Sequence, residues 1–191
     1  MYPDTEMIEG QHPFMLSFCH GADIHDVFTG INVPEQEELM FVFPVSYNDH
    51  FCSYIPVLYL DSLMGVVGGL YYGLRKEWHP EMKVEETEDS KSWHIRKIID
   101  ASFKQKDETE PALPQFISQT FENPFITVSY LDETYFYQAK VYESLVKESD
   151  VDYTWDYKGS ELKNRDDTMS VYSEYHFTMS KPMSYKAYFG N

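Results

Sequence analysis

Apolar and aromatic residues fall in short runs along this chain, with little helical spacing. Leu39 to Tyr47 carries Phe41, Val42, Phe43 and Val45, the length and the β-branched or aromatic content of a buried strand. Tyr54 to Leu60 and Gly65 to Leu74 read the same way, joined by a turn over Asp61 to Met64. Upstream, Pro3, Pro13, Gly21, Gly30 and Pro34 punctuate residues 1–35, which predicts an irregular lead-in with one short helical turn near Asp23 to Phe28. Downstream, Ser92 to Phe103, Phe125 to Leu131, Tyr135 to Val146 and Val151 to Tyr157 are short segments rich in Tyr, Ile, Val, Thr and Trp, separated by acidic or Asn- and Gly-containing breaks. The acids of Glu81 to Asp89 predict a solvated loop or sheet edge. Gln115 to Thr120 fits a helix, and Lys140 to Glu148 fits either period. No repeat of roughly 20 to 50 residues is visible. The pattern is that of a mainly β fold, a β-rich α+β class with few short helices, in a single domain over residues 1–191.

Size and composition sharpen this picture. A chain of 191 residues buries roughly 70% of its unfolded surface, so its core needs neither metal nor disulfide staples. A formal charge of -17 would permit disorder, but 13 Phe, 16 Tyr and 3 Trp supply the apolar surface that disordered chains lack. The same charge, from 32 acids against 15 unclustered bases, repels phosphate backbones and anionic headgroups, which excludes nucleic acid and membrane surfaces as expected partners. Phe51 to Leu74 approaches the length of a membrane span, but Pro56, Asp61, Gly65, Gly68, Gly69 and Gly73 suit such a helix badly. Lys and Arg are absent before Arg75, so neither a secretory signal nor a transit peptide is recognisable, and cytoplasmic residence is the expectation. In that compartment Cys19 and Cys52 are expected as reduced thiols.

Most catalytic fingerprints fail. There is no G-x-S-x-G elbow, P-loop or H-E-x-x-H, and Gly68-Gly69-Leu70-Tyr71-Tyr72-Gly73 is not a dinucleotide fingerprint. Cys19, His20, Asp23, His25 and Asp26 form the densest group of ligand-type side chains, but their spacing matches no metal motif, and no metal or cofactor is expected. The informative feature is the arrival of Arg75 and Lys76 at the end of the most apolar stretch. An amine held in an apolar pocket beside a second cation loses the hydration that favours its charged form and becomes a nucleophile toward carbonyls. The alternative is that both cations cap a strand emerging into water, paired with Glu77 and Glu81.

The segment Tyr54-Ile55-Pro56-Val57-Leu58-Tyr59-Leu60-Asp61, followed by Gly65-Val66-Val67-Gly68-Gly69-Leu70-Tyr71-Tyr72-Gly73-Leu74-Arg75-Lys76, resembles the central block of the acetoacetate decarboxylase family, with its Y-L-D strand end, turn, and glycine-bearing stretch ending in G-F-P-K-K. A weaker echo lies in Val171 to His176 and Pro182 to Tyr185, which look like the family's final strands. Aligned on the Tyr-Leu-Asp and on Gly73, Lys76 falls on the Schiff-base lysine. The resemblance implies an antiparallel β fold, a closed or cone-shaped barrel around an apolar cavity, assembled into homo-oligomers. It also implies a reaction in which the lysine forms an imine with a ketone and the imine acts as electron sink.

Departures from the family pattern matter as much. The family's second lysine is replaced by Glu77, and its preceding proline by Arg75. No arginine precedes position 75 to hold a substrate carboxylate. Phe43 falls near the place of a pocket glutamate, and Asp49 is the only stand-in for a second acid. These differences point to a divergent member, a Schiff-base lyase of decarboxylase or aldolase/dehydratase type acting through Lys76 on a small carbonyl compound other than acetoacetate. The expected pocket comprises Arg75, Glu77, Phe43, Asp49, Tyr59, Met64, Tyr71, Tyr72 and Leu74. The competing reading keeps the barrel as a non-catalytic binder of a small apolar or aromatic ligand, with Glu77 as the ion-pair partner of Lys76.

Overall fold

The run around Phe41 lies inside a 16-residue strand, β3 (Asn32–Tyr47), on which the first of two compact units is built. The computed structural model describes residues 6–7, 15–26, 29–109, 120–128, 133–157, 160–163 and 171–190. The first unit comprises residues 1–78, 114–141 and 177–191, and the second comprises 79–113 and 142–176. In the first, β1 (Glu6–Met7) and β2 (Met15–His25) both pair antiparallel with β3. Residues 15–25 are therefore strand where an irregular lead-in was expected. The chain reverses by bonds from Asp26 N to Ile31 O at 3.0 Å and Gly30 N to Asp26 O at 2.8 Å. Pro34, which argued against a strand, falls opposite Asp23, whose φ is 52°. The ladder is distorted there, and the missing N–H is tolerated.

β4 (His50–Tyr54) returns antiparallel along β3 through a two-residue turn, Asn48-Asp49, with both φ positive at 47° and 63°. That is the twist-matched hairpin geometry. β5 (Leu58–Leu60) pairs with Glu38 to Met40 of β3, the same residues that pair with β2, so β2 and β5 flank β3 on opposite sides. β10 (Phe125–Val128) lies parallel to β4, and β11 (Thr134–Tyr137) closes against β10. The path runs β11-β10-β4-β3-β5-β6 with two free ends among the described residues, so the sheet is an open half-barrel and not the closed barrel expected.

The largest departure from the sequence reading lies between β5 and β6 (Lys76–Trp78). These strands are parallel, and a parallel pair needs a crossover that a tight turn cannot supply. Leu63–Tyr71, expected as turn and strand, is helix α1. Ser62 caps it by accepting from Gly65 N at 3.2 Å. At its far end Gly73, φ 67°, and buried Leu74 complete a Schellman motif, with Gly73 N on Leu70 O at 3.1 Å and Leu74 N on Gly69 O at 3.0 Å. The carbonyl of Tyr72 is taken up by Thr127 Oγ1 at 2.9 Å and by the Tyr137 hydroxyl. The apolar run misled because the glycines remove the side chains from which a helical period is read.

Met15, Met40, Val42, Leu58, Leu74 and Tyr137 pack into one core. A second, around Val45, Cys52, Ile126 and Phe136, is covered by a short helix, α2 (Tyr185–Phe189), where a strand end was expected. The second unit is built on a separate sheet of β7 (Lys83–Glu86), β8 (Ser90–Ile95), β9 (Ile99–Thr109), β12 (Ala139–Tyr157), β13 (Ser160–Lys163) and β14 (Val171–Met179), the first three residues of β12 and the last three of β14 belonging to the first unit. Trp93, Ile95, Ile99 and Ala101 are buried in it. The acidic run is its edge strand β7, and the expected strand over Ser92 to Phe103 is a hairpin turning at Lys97, φ 62°. Lys140 to Glu148 is strand. The helix over Gln115 to Thr120 falls largely outside the described residues.

Two glycines of the α1 region should respond oppositely to alanine. At Gly73 the left-handed backbone penalises a Cβ, and Gly73→Ala should lower the unfolding free energy by about 1–2 kcal/mol in urea titrations. A Cβ at Gly68 meets nothing within 4 Å, so Gly68→Ala should raise it by about 0.5–1 kcal/mol.

Candidate active site

Residues paired in register share a face of a sheet, and neighbours along a strand alternate. Glu38 pairs with Leu60 and Leu60 with Trp78, while Met40 pairs with Leu58 and Leu58 with Lys76. Glu38, Met40, Leu58, Leu60, Lys76 and Trp78 therefore share one face, and Leu39, Tyr59 and Glu77 the other. Helix α1 lies over the first face. It presents Gly65 and Gly69, one turn apart, toward the sheet. A Cβ at Gly69 would stand 2.2 Å from Lys76 Cδ, and one at Gly65 would stand 2.0 Å from Gln36 Oε1. The Lys76 stem and the Gln36 amide thus lie flat beneath the helix in space that only glycine leaves open.

Between them sits Glu38. Gln36 Nε2 donates to Glu38 Oε2 at 3.1 Å. Part of Glu38 reaches the surface, but its carboxyl is densely surrounded by protein. That desolvation is the larger effect and raises its pKa above the ordinary carboxylate value, while the charge of Lys76 pulls it back down. Lys76 itself is half-buried. An amine, a carboxyl held toward its neutral form and a buried amide thus converge on one patch of the first unit.

Other residues expected at the site are placed elsewhere. Arg75 is 65% exposed and donates to Glu77 Oε1 at 2.9 Å, so the partner of Glu77 in this ion pair is Arg75 and not Lys76. Glu81 pairs with Arg96 at 3.7 Å. Tyr59 packs edge-on to Phe41, with centroids 6.1 Å apart, on the face away from Lys76. Phe43 packs against the core around Val45 and Phe136. Leu74 is core, and the Tyr72 hydroxyl donates to Asp26 Oδ1 at 3.0 Å. Asp49 occupies the β3–β4 turn, and Met64 shares the solvent-facing side of α1 with Leu63, Val67 and Leu70. The Tyr71 side chain lies outside the described residues.

Gln36 and Glu38 were missed. They lie in the unbroken polar run Glu35-Gln36-Glu37-Glu38, which marks neither face of the strand, and the one signal was two glycines spaced by one helical turn. Among the described residues no three His, Cys, Asp or Glu side chains form a group able to hold a metal. In the cluster that begins at Cys19, His20 Nδ1 contacts Glu37 Oε1 at 2.7 Å and His25 Nδ1 contacts Asn32 Oδ1. A groove of about 450 Å³ lies in the second unit, lined by Lys83, Glu85, Ser92, His94, Asp100 and Ser102 among others. No helix among the described residues is long and apolar enough to cross a membrane.

Because its pKa is raised in the fold, Glu38 binds more protons folded than unfolded between pH 4.5, its ordinary value, and the raised one. Its contribution to stability is therefore greatest at low pH and declines as pH rises through that window. Urea titrations at several pH values should show that Glu38→Gln gains stability relative to the parent as pH increases. A difference that stays flat would show that the Glu38 carboxyl is solvated.

No protein-family profile matches the chain, and no curated protein does. Solved structures do. Acetoacetate decarboxylase from Legionella pneumophila subsp. pneumophila str. Philadelphia 1 superposes with a TM-score of 0.61 at 14% identity, over 97% of this chain and 76% of that one. A second acetoacetate decarboxylase structure superposes with a TM-score of 0.53 at 13% identity, over 79% of this chain and 70% of that one. On these grounds the chain has the acetoacetate decarboxylase-like fold.

Proposed function

We propose that this protein is a Schiff-base lyase that acts through Lys76 on a small, uncharged ketone or aldehyde. The observation that carries the reading is the seating of the Lys76 stem under α1 against Gly69, on the same face as Glu38. The acetoacetate decarboxylase-like fold supports it. Arg75 is engaged by Glu77 on the other face, so it offers a β-keto acid no cationic clamp.

The steps use groups already in place and need no cofactor. The Lys76 amine adds to the carbonyl carbon while protonated Glu38 gives its proton to the carbonyl oxygen and takes one from the nitrogen. The carbinolamine loses water to give an iminium, with Glu38 returning the proton to the departing hydroxyl. The iminium then draws in the electron pair of a bond to the adjacent carbon, forming an enamine. In aldol cleavage the β-hydroxyl proton goes to Glu38 as the carbon–carbon bond breaks and a second carbonyl compound leaves. Glu38 protonates the enamine carbon, and water hydrolyses the resulting iminium to release product and free amine, the proton set free returning to Glu38.

Reductive trapping tests this directly. Incubation with cyanoborohydride and acetone or benzaldehyde should place one adduct on Lys76, read by peptide mass spectrometry, and Lys76→Ala should abolish it. Pyruvate should label more slowly than acetone. Gly69→Ala should keep the fold but displace the lysine stem, with trapping reduced about tenfold or more. Absence of an adduct from every carbonyl tried would overturn the reading in favour of a non-catalytic binder of small apolar or aromatic ligands.

A further inference from the structure

Gln36 is 6% exposed, yet its Oε1 has no hydrogen-bond partner among the described residues. A buried amide atom left unpaired is costly and is rare in folded proteins. Turning the amide over does not remove the deficit. Nε2 already faces Glu38 Oε2, so exchanging the two ends leaves Nε2 unpaired against Gly65 in place of Oε1. A hydroxyl, which both donates and accepts, is a small neutral group able to pair with either end.

The place of this unpaired atom relative to Lys76 follows from the helix. The amide end rests on Gly65 and the lysine Cδ and Cε on Gly69, a separation of about 6 Å along the axis for four residues. An imine carbon and one further carbon bearing a hydroxyl bridge such a gap. We infer that Gln36 is a specificity-determining residue that selects hydroxy-ketones or hydroxy-aldehydes, holding their hydroxyl while Lys76 takes their carbonyl. The inference rests on the Schiff-base reading and deepens it. A substrate lacking the hydroxyl is thus taken more slowly, because Gln36 stays unpaired beneath it.

The test compares hydroxyacetone with methoxyacetone, which keeps the oxygen but has no donor, at equal concentrations with cyanoborohydride and the full chain. Labelling of Lys76 should be roughly tenfold or more faster with hydroxyacetone. In Gln36→Met the ratio should fall to within about twofold, with methoxyacetone still forming its adduct. Equal labelling in the parent protein overturns the inference and leaves the Schiff-base reading standing. A ratio that survives in Gln36→Met overturns the role of Gln36. No adduct from either ketone overturns both readings. Because the parent ratio is decisive by itself, a variant that fails to fold does not spare the proposal.

Discussion

The close approach of α1 to the sheet at Gly65 and Gly69 is the constraint from which the rest of the site follows. Two long polar side chains, Gln36 and Lys76, occupy the layer that a helix normally fills with its own Cβ atoms. Such a helix is weak on its own account. Three glycines in nine residues cost roughly 1 kcal/mol each relative to alanine. Its persistence depends on its ends: the Ser62 cap, the Schellman turn at Gly73, and the hold of Thr127 and Tyr137 on the Tyr72 carbonyl. The site's geometry is thus anchored from strands remote in sequence, β10 and β11, as much as from its own loop.

What was legible in the sequence follows from this. Strands that bury both faces, such as the middle of β3, announce themselves through composition, and so do the aromatic runs of β10 and β11. The crossover helix does not, because its sheet-facing positions are glycine and its remaining residues are apolar and partly β-branched. Its signals were punctuation: a serine before it and a glycine three residues before the lysine's strand begins. Lys76 could be found from the motif around it. Glu38 and Gln36 could not, since their relevance depends on β5 lying between β3 and β6, a fact of topology that one-dimensional spacing does not carry.

Parity along the strands separated the expected pocket residues from the actual neighbours of the lysine. Tyr59 and Phe43 are close to Lys76 in the sequence motif or alignment, yet the alternation of strand faces sends them to the other side of the sheet. The same alternation takes Arg75 and Glu77 away together, so the replacement of a cation-rich motif by a mixed pair changes the far surface, where the two side chains engage each other. A substitution that looks decisive in an alignment therefore acts on a different environment from the one the lysine experiences.

Only Leu74 and Arg75 separate the αL glycine from Lys76, which makes the site unusually intolerant of length variation. A single inserted or deleted residue between Gly73 and β6 would exchange the faces of Lys76 and Glu77, turning a carboxylate under the helix and the amine outward. Point substitutions leave that register untouched, so descendants of this chain are free to diverge widely in residue identity there while being held to a fixed count.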